Sequence, residues 1–333
     1  MKYNYSLSTS NFYFYPMVIF EAKAKIEGFE SPINILRNDY GDWGDAASVE
    51  EVGGEPLPFP QEIILSWWSP EDLQFFCATE KIDIEKANKL WEEQSKLDEI
   101  DHFTHFVVGI GVLGGIAVWL RGYTRSVLLQ VGQGKPFRLD DETTYMLAKN
   151  YPSRLPDEIY KGNLFNICMR QYSYRYVVLD EFWNGEAWQN YDYEDLVYDD
   201  LDLQNIRDIR TDGTFDITGD MSLLNYHEAG CPSRFSMYWN DGRNNVEAHF
   251  WMDDDAIASV FKDFQDSHPN AEIDFLVRID KRANQYELAL IDKDRETPHV
   301  VIPQDCYQML IFNNDTEYYK SDNYNQDDGA WYW

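Results

Sequence analysis

The sequence is poor in basic residues, and this shortage limits the partners that it can bind. It has 28 lysines and arginines against 59 aspartates and glutamates, which gives a formal net charge of −31 at pH 7. A surface with so much negative charge repels the phosphates of nucleic acids and anionic membrane surfaces. We therefore expect no nucleic-acid binding, and the charge favours a basic protein or a cation as the partner.

Motifs for metals, cofactors and covalent catalysis are also missing. The cysteines Cys77, Cys168, Cys231 and Cys306 are scattered without a C-x-x-C pair, so neither a zinc site nor a disulfide framework is indicated. The six histidines form no H-E-x-x-H pattern, and the chain has no G-x-S-x-G elbow and no Walker loop. We therefore predict no catalytic residues, no metal site and no cofactor, and we expect a protein that is not an enzyme.

Long apolar runs are absent as well. No stretch is long enough and apolar enough to span a bilayer, so we expect no membrane span. The N-terminal stretch lacks the uninterrupted apolar run and the cleavage site of a signal peptide, and it has no cysteine for lipid attachment. These features predict a cytoplasmic location. The sequence leaves the oligomeric state open.

A G-x-G-x-x-G run, formed by Gly109, Gly111 and Gly114, lies in the stretch FVVGIGVLGG. In a dinucleotide-binding fold such a run follows a strand, opens a helix and is followed by an acid about 20 residues on. Here the next residues read IAVWLRG, which is typical of a second strand, and no acid stands at the required distance. The pattern therefore predicts a β-hairpin that links strands at 104–110 and 116–121, and not a nucleotide site.

Two stretches of the chain share one pattern of elements. One starts at Glu62 with EIILSWW and the other at Arg234 with RFSMYWN, and each reads as two strands, a helix and three strands. We therefore predict an α+β fold of two similar lobes, each a mostly antiparallel sheet covered by one helix in the order ββαβββ. The predicted parts are an N-terminal α+β lobe at residues 1–150, an acidic, tyrosine-rich connecting region at 151–225, and a C-terminal α+β lobe at 226–333.

The connecting region is the part whose composition best suits protein binding. Between Tyr191 and Asp220 there are ten acids against two arginines. Tyrosines supply contact area, and acids steer a basic partner. We predict that the partner surface includes Tyr191, Tyr193, Tyr198, Asp199, Asp200 and Asp202. Two alternatives stay open, namely a solvated acidic loop and a calcium loop at Asp212, Asp216 and Asp220, whose spacing is not that of an EF-hand.

Several stretches resemble a family of bacterial proteins. VVGIGVLGGIAVWLRG, preceded by EIILSWWSPEDLQFF and a short helix, is similar to the proteins grouped as domain of unknown function 2931. Those proteins show a glycine pair followed by a V-x-W-like strand, here Gly114, Gly115, Val118 and Trp119. The later stretches IRTDGTFD, IDFLVRID, YELALID and SDNYNQDDGAWYW look like the longer members from Bacteroidetes-type bacteria, so the resemblance runs from about residue 63 to residue 333.

The family brings no established catalytic residues, so the resemblance assigns a catalytic role to no residue of this chain. Proteins of this kind occur near interbacterial toxin systems in some genomes, which implies an immunity role. Many members look like envelope lipoproteins, from which this chain departs by lacking the lipid-attachment cysteine. Our hypothesis is a non-enzymatic immunity protein that neutralises a toxin by direct contact. A structural or envelope-associated protein is the alternative, and an uncharacterised enzyme comes third.

Overall fold

The computed structural model divides the chain into two compact units. The first unit comprises Met1–Met169 and Asp212–Phe215, and the second comprises Arg170–Thr211 and Asp216–Trp333. The structure describes residues 1–12, 17–33, 43–44, 56–96, 102–153, 164–184, 186–190, 202–216, 221–240, 245–279, 285–293, 300–313 and 319–320.

The first unit contains nine strands and three helices among its described residues. The strands are β1 (Ser6–Asn11), β2 (Val18–Ile26), β3 (Phe29–Pro32), β4 (Glu62–Ser69), β5 (Gln74–Lys81), β6 (Phe103–Ile110), β7 (Gly115–Gly122), β8 (Arg125–Gln133) and β9 (Lys135–Phe137). The helices are α1 (Ile84–Gln94), α2 (Asp141–Asn150) and α3 (Leu164–Cys168).

The rest of the chain supplies the remaining strands and the longest helix. The strands are β10 (Tyr172–Trp183), β11 (Trp188–Asn190), β12 (Asp202–Arg210), β13 (Phe215–Asp216), β14 (His227–Ala229), β15 (Pro232–Asn240), β16 (Asn245–Met252), β17 (Ile273–Ile279), β18 (Tyr286–Asp292), β19 (Val300–Val301), β20 (Tyr307–Asn313) and β21 (Tyr319–Lys320). The helix is α4 (Asp254–Ser267).

Two layers of strands build the first unit. One is a sheet in the order β3-β2-β4-β5-β9, in which every neighbouring pair is antiparallel. The other joins β1, β6, β7 and β8, with β1 parallel to β6 and the later pairs antiparallel. Side chains alternate between the two faces of a strand, and in β4 the face with Ile63, Leu65 and Trp67 is buried. This alternation places the core on one face of the first sheet.

The second unit also has two layers. The strands β12, β15, β16, β20 and β21 form antiparallel neighbours in that order. A second sheet has the order β11-β10-β17-β18-β19, with β10 parallel to β17, and β14 also pairs with β10. The core between these layers is aromatic, because the Phe235 ring stacks on Phe250 at 4.4 Å and meets Phe275 edge-on at 5.6 Å.

The expected α+β class is confirmed, with strands far more numerous than helices among the described residues. The expectation that each lobe is one sheet is wrong. The hairpin β4–β5 and the run β6–β7–β8 lie in different layers, and the hairpin β15–β16 is separated in the same way from the run β17–β18–β19. The cause is the helix between hairpin and run, which carries the chain over to a second layer of strands.

The described part of the predicted connecting region 151–225 belongs largely to sheets. It forms β10, β11 and β12, and Tyr172, Tyr174 and Tyr176 alternate as buried residues along β10. The prediction for this region was based on its acidic composition. The alternation of period two, which is the signal of a half-buried strand, was overlooked.

An aspartate caps the start of α1 and of α4. The Asp83 carboxylate accepts a hydrogen bond from the Lys86 amide at 3.0 Å, and the Asp253 carboxylate accepts one from the Ala256 amide at 2.9 Å. Ile257, Val260, Phe261 and Phe264 recur at helical spacing along α4, and all of them are buried except Val260, which is partly exposed.

The glycine run lies in the predicted hairpin. β6 and β7 are antiparallel, a short 3-10 turn at Val112–Gly114 connects them, and a strand rather than a helix begins at Gly115. The glycines let aromatic rings approach the backbone. A Cβ on Gly109 would stand 2.4 Å from the Trp43 ring, and a Cβ on Gly115 would stand 2.5 Å from the Phe165 ring. The run therefore serves packing.

Two tryptophans pack against each other and against a tight turn in the first unit. Trp43 meets Trp119 edge-on at 4.7 Å, and the Trp119 indole N–H donates to the backbone oxygen of Asp212 at 3.0 Å. Gly213 has a φ of +79°, and a Cβ there would stand 2.8 Å from the Trp43 backbone oxygen. Only glycine satisfies both conditions, because other residues avoid this φ and would strike the backbone.

We expect the variant Gly213→Ala to lose about 3 kcal/mol of unfolding free energy, since it combines left-handed strain with a backbone clash. Gly28→Ala is the matched control, because Gly28 has a φ of +88° and nothing lies within 4 Å of an added Cβ. The control should lose only the strain, about 1 kcal/mol. Denaturant unfolding measures both values, and equal losses would show that the close approach does not matter.

Candidate binding groove

An open groove lies where two turns of the first unit meet. Its volume is about 540 Å³, which is within the range of ligand pockets. One turn, at residues 70–73, connects β4 to β5, and the other is the 3-10 turn between β6 and β7. The junction of β8 and β9 completes the wall. The groove is lined by residues that include Asp72, Gln74, Phe76, Leu113, Gln133 and Lys135.

The Asp72 carboxylate holds the two turns together. Its Oδ2 accepts the backbone N–H of Leu113 at 2.7 Å and the Ser69 hydroxyl at 2.5 Å. The backbone oxygen of Leu113 accepts a second hydrogen bond, from the side-chain amide of Gln133. Hydrogen bonds in which one partner is ionised are stronger than neutral ones. The short turn Val112–Gly114 is therefore fixed on both sides.

Two leucines at the groove have strained backbones. Leu73 has a φ of 48° and Leu113 a φ of 55°. Leucine in this left-handed region costs about 1–2 kcal/mol. Among the described residues, only Met221 and Asn270 share this feature with them outside glycine. Strain of this kind persists where the surroundings enforce it, and it concentrates at functional sites.

The first unit also has an exposed aromatic face. Phe20 is 52% exposed and Phe137 is 54% exposed, and their rings stand 5.5 Å and 6.2 Å from that of Phe75. Phe75 and Phe137 are direct partners on neighbouring strands, so they share one face of the sheet. We call Phe20, Phe75 and Phe137 the aromatic face. Leu73, which is 57% exposed, is the last residue of the turn at 70–73 and directly precedes β5, the strand that carries Phe75.

Two segments that adjoin groove-lining residues in sequence are rich in acids, whereas Lys135 lines the groove itself. The turn between β4 and β5 contributes Glu71 and Asp72, and the segment RLDDE after β9 contributes three more acids against one arginine. Asp140 caps α2, since its carboxylate accepts the amide N–H and the hydroxyl of Thr143, each at 2.8 Å. These hydrogen bonds lower the pKa of Asp140, so it stays ionised at neutral pH.

The second unit buries a charged cluster in its core. Asp208 is fully buried, and its Oδ2 accepts the Arg210 Nε–H at 2.9 Å while the Arg210 Nη2 stands 2.8 Å from its Oδ1. The hydroxyls of Tyr174 and Tyr176 each donate to the same carboxylate at 3.4 Å. Burial raises the pKa of Asp208 to about 6, against the attraction of Arg210.

A second ionisable pair lies on the opposite face of the same sheet. The His249 Nε2 stands 2.6 Å from a carboxylate oxygen of Glu247, and the two residues lie two positions apart on one face of β16. Burial opposes ionisation of Glu247, but hydrogen bonds from His249 and Tyr238 outweigh it and lower the pKa of this carboxyl. The Arg207 guanidinium stands 5.1 Å from the Tyr238 ring centre. These contacts tie neighbouring strands together.

The predicted partner residues are mostly beyond what the structure describes. Tyr191, Tyr193, Tyr198, Asp199 and Asp200 lie outside the described residues. Asp202 is the first residue of β12, where its backbone pairs with Asn240 of β15. The prediction that these six residues form a partner surface stays a prediction.

The three aspartates of the calcium alternative have different positions. Asp212 is buried, and its Oδ1 accepts the amide N–H of Thr214 at 2.9 Å and the Thr214 hydroxyl at 2.6 Å. Asp216 is also buried, and Asp220 lies outside the described residues. Across the described part of the chain, no three His, Cys, Asp or Glu side chains are grouped as metal ligands.

The groove residues were missed because the sequence marks them weakly. The hairpin at SPEDLQ was expected, and its polar residues are ordinary for a turn. Leu73 is the anomaly, because an apolar residue gains little at the exposed tip of such a turn. The meeting of this turn with Val112–Gly114 depends on pairing between distant parts of the chain, which local patterns do not contain.

Comparisons with known proteins add no functional assignment to this geometry. No family model, no curated protein and no solved structure matches the chain. Among the helices of the described residues, none has both the length and the apolar composition that crossing a bilayer requires.

We expect the buried carboxyl of Asp208 to make stability depend on pH. Its folded pKa of about 6 is above the ordinary value of 3.8, so protonation favours the folded state. This stabilisation is complete below about pH 4 and is lost as the pH rises through 6. Relative to the wild type, Asp208→Asn should therefore gain up to about 3 kcal/mol between pH 4 and pH 7. Unfolding curves at several pH values measure the difference, and parallel pH profiles of the two proteins would contradict it.

Proposed function

We propose that this protein is a non-enzymatic binding protein that engages a basic partner protein at the groove and the aromatic face of its first unit. The observation that carries the proposal is the exposure of the Phe20 and Phe137 rings on the first unit, which also has an open groove of about 540 Å³. Exposed aromatic clusters with polar rims are typical of protein interaction sites.

The charge of the chain selects among partners. With a net charge of −31, a second copy of this chain would be repelled, whereas a basic surface would be attracted and its encounter accelerated. The acids at Glu71, Asp72 and the start of α2 would form a rim around the apolar contact. This division of an interface into an apolar centre and a charged edge is common in protein complexes.

We also propose that the two units repeat one arrangement, in extension of the ββαβββ pattern. A parallel pair followed by two antiparallel pairs occurs in β1-β6-β7-β8 and in β10-β17-β18-β19, and antiparallel neighbours follow the same chain order in β2-β4-β5-β9 and β12-β15-β16-β20. The corresponding sheet faces differ in chemistry. Where the first unit exposes Phe20 and Phe137, the second has polar residues such as Arg207 and Glu247. This difference supports the assignment of binding to the first unit.

The specific role that we propose is that of an immunity protein against an interbacterial toxin. Its support is the resemblance to domain of unknown function 2931 together with the acidity of the chain, and membership in that family remains a hypothesis. The acidic segment with Tyr191, Tyr193 and Tyr198 would be a second contact region. A structural or envelope-associated protein is the alternative to the immunity role.

A protein encoded beside this one provides the test. If it is a toxin, its expression should arrest growth, and co-expression of the present protein should restore growth. Phe137→Ala should weaken the complex by about 2 kcal/mol, because a desolvated aromatic anchor is lost. Tyr123→Ala is the matched control, since Tyr123 is 69% exposed in the turn at the other end of β7. Equal binding by both variants, measured by calorimetry, would remove the aromatic face from the interface.

The acidic segment makes a separate contribution that kinetics can isolate. The triple change of Asp199, Asp200 and Asp202 to Asn should slow association and reduce its dependence on salt, because these charges act over distance. Tyr198→Ala should mainly speed dissociation. Surface plasmon resonance at two salt concentrations separates the effects. Wild-type kinetics in both variants would mean that this segment is a solvated loop.

A further inference from the structure

We propose that the turn at residues 70–73 is a preformed recognition element for a basic segment of the partner protein. Its Leu73 and the adjoining groove bind an apolar side chain of that segment. This inference rests on the proposed function and adds to it the residue that anchors the contact and the chemistry of the segment that is bound.

The first observation is a strained leucine that contributes little to the core. Leu73 has a φ of 48° and is 57% exposed, so it bears the cost of the left-handed region while much of its side chain stays in water. Gly28, Gly114 and Gly213 occupy other left-handed positions of the described chain, where glycine carries no such cost. The stability of the fold therefore does not explain a leucine at this position, and we infer that it has a role in binding.

The second observation is that the turn is held in place before any partner binds. Asp72 bonds to Ser69 within the turn and to the amide of Leu113 across the groove. The neighbouring Glu71 accepts the hydroxyl of Ser153, which follows α2. A loop that is already ordered loses little conformational entropy on binding, and this favours affinity.

The third observation concerns what the site can recognise. Leu113 and Phe76 offer apolar contacts in the groove, which Asp72 and Lys135 also line. Leu73 is exposed on the turn that carries Glu71 and Asp72. Asp140, which stays ionised, is the third residue after β9. An apolar side chain with lysine or arginine neighbours matches both properties, whereas an acidic segment would meet repulsion.

Two variants of the full chain separate strain from contact. Leu73→Ala removes the side chain and keeps the strain, whereas Leu73→Gly removes both. We expect the Gly variant to melt about 2 °C above the Ala variant, because glycine tolerates the left-handed region. Tyr145, an exposed position within α2, is the control. There Tyr145→Gly should melt below Tyr145→Ala, because glycine destabilises a helix relative to alanine. A Gly variant at residue 73 that melts below its Ala counterpart would overturn the strain argument. A large fall in melting temperature for Leu73→Ala would do the same, since Leu73 would then be a folding residue.

Peptide selection on the immobilised wild-type protein tests recognition. A random dodecapeptide display library should yield peptides in which an apolar residue has lysine or arginine neighbours. Both Leu73 variants should weaken these peptides at least tenfold, whereas Tyr123→Ala should not. Selection of acidic or uncharged peptides, or equal affinity for the Leu73 variants, would overturn the inference.

The outcomes also distinguish this inference from the proposed function. If the selected peptides lose affinity for Phe137→Ala but not for the Leu73 variants, the aromatic face remains the binding surface and the recognition turn is rejected. If the protein encoded beside this one fails to bind while the peptides depend on Leu73, the immunity role is rejected and the recognition turn remains.

Discussion

The hydrogen bond from the Leu113 amide to the Asp72 carboxylate joins turns that belong to different layers of the first unit. One turn ends the hairpin β4–β5, and the other ends the hairpin β6–β7. The bond fixes one hairpin relative to the other at the end where the groove lies. The same carboxylate accepts the Ser69 hydroxyl as well, so both turns are oriented by one group.

Glycine and tryptophan make this arrangement possible from within. A Cβ on Gly134 would stand 2.3 Å from the Trp67 ring, and one on Gly109 would stand 2.5 Å from Trp119. Because glycine has no side chain, the ring can lie directly against the backbone at these positions. The core is therefore closely packed there, and these glycines do not tolerate substitution.

Several features whose deciding interactions are local can be predicted from the sequence. The hairpin at Val112–Gly114 and the caps at Asp83 and Asp253 each depend on residues a few positions apart, but the equally local alternation of tyrosines along β10 was missed. The division of strands between layers was not, because β1 pairs with β6 and β10 with β17 across long stretches of chain. The candidate site was missed for the same reason, because Asp72 and Leu113 are 41 residues apart. The solvent exposure of Leu73 and of the aromatic face also depends on the tertiary fold, which local patterns do not show.

Charge and strain act on binding in different ways. Repulsion among the acids raises the free energy of the unbound protein, and a basic partner relieves it, with an effect that salt screens. The strain at Leu73 is not relieved by a partner that leaves the turn unchanged, so it adds nothing to affinity by itself. Its effect is to present an apolar side chain at a fixed position and to reduce the entropy lost on binding. Charge would thus govern how fast a partner arrives, and the strained turn would govern which partner stays.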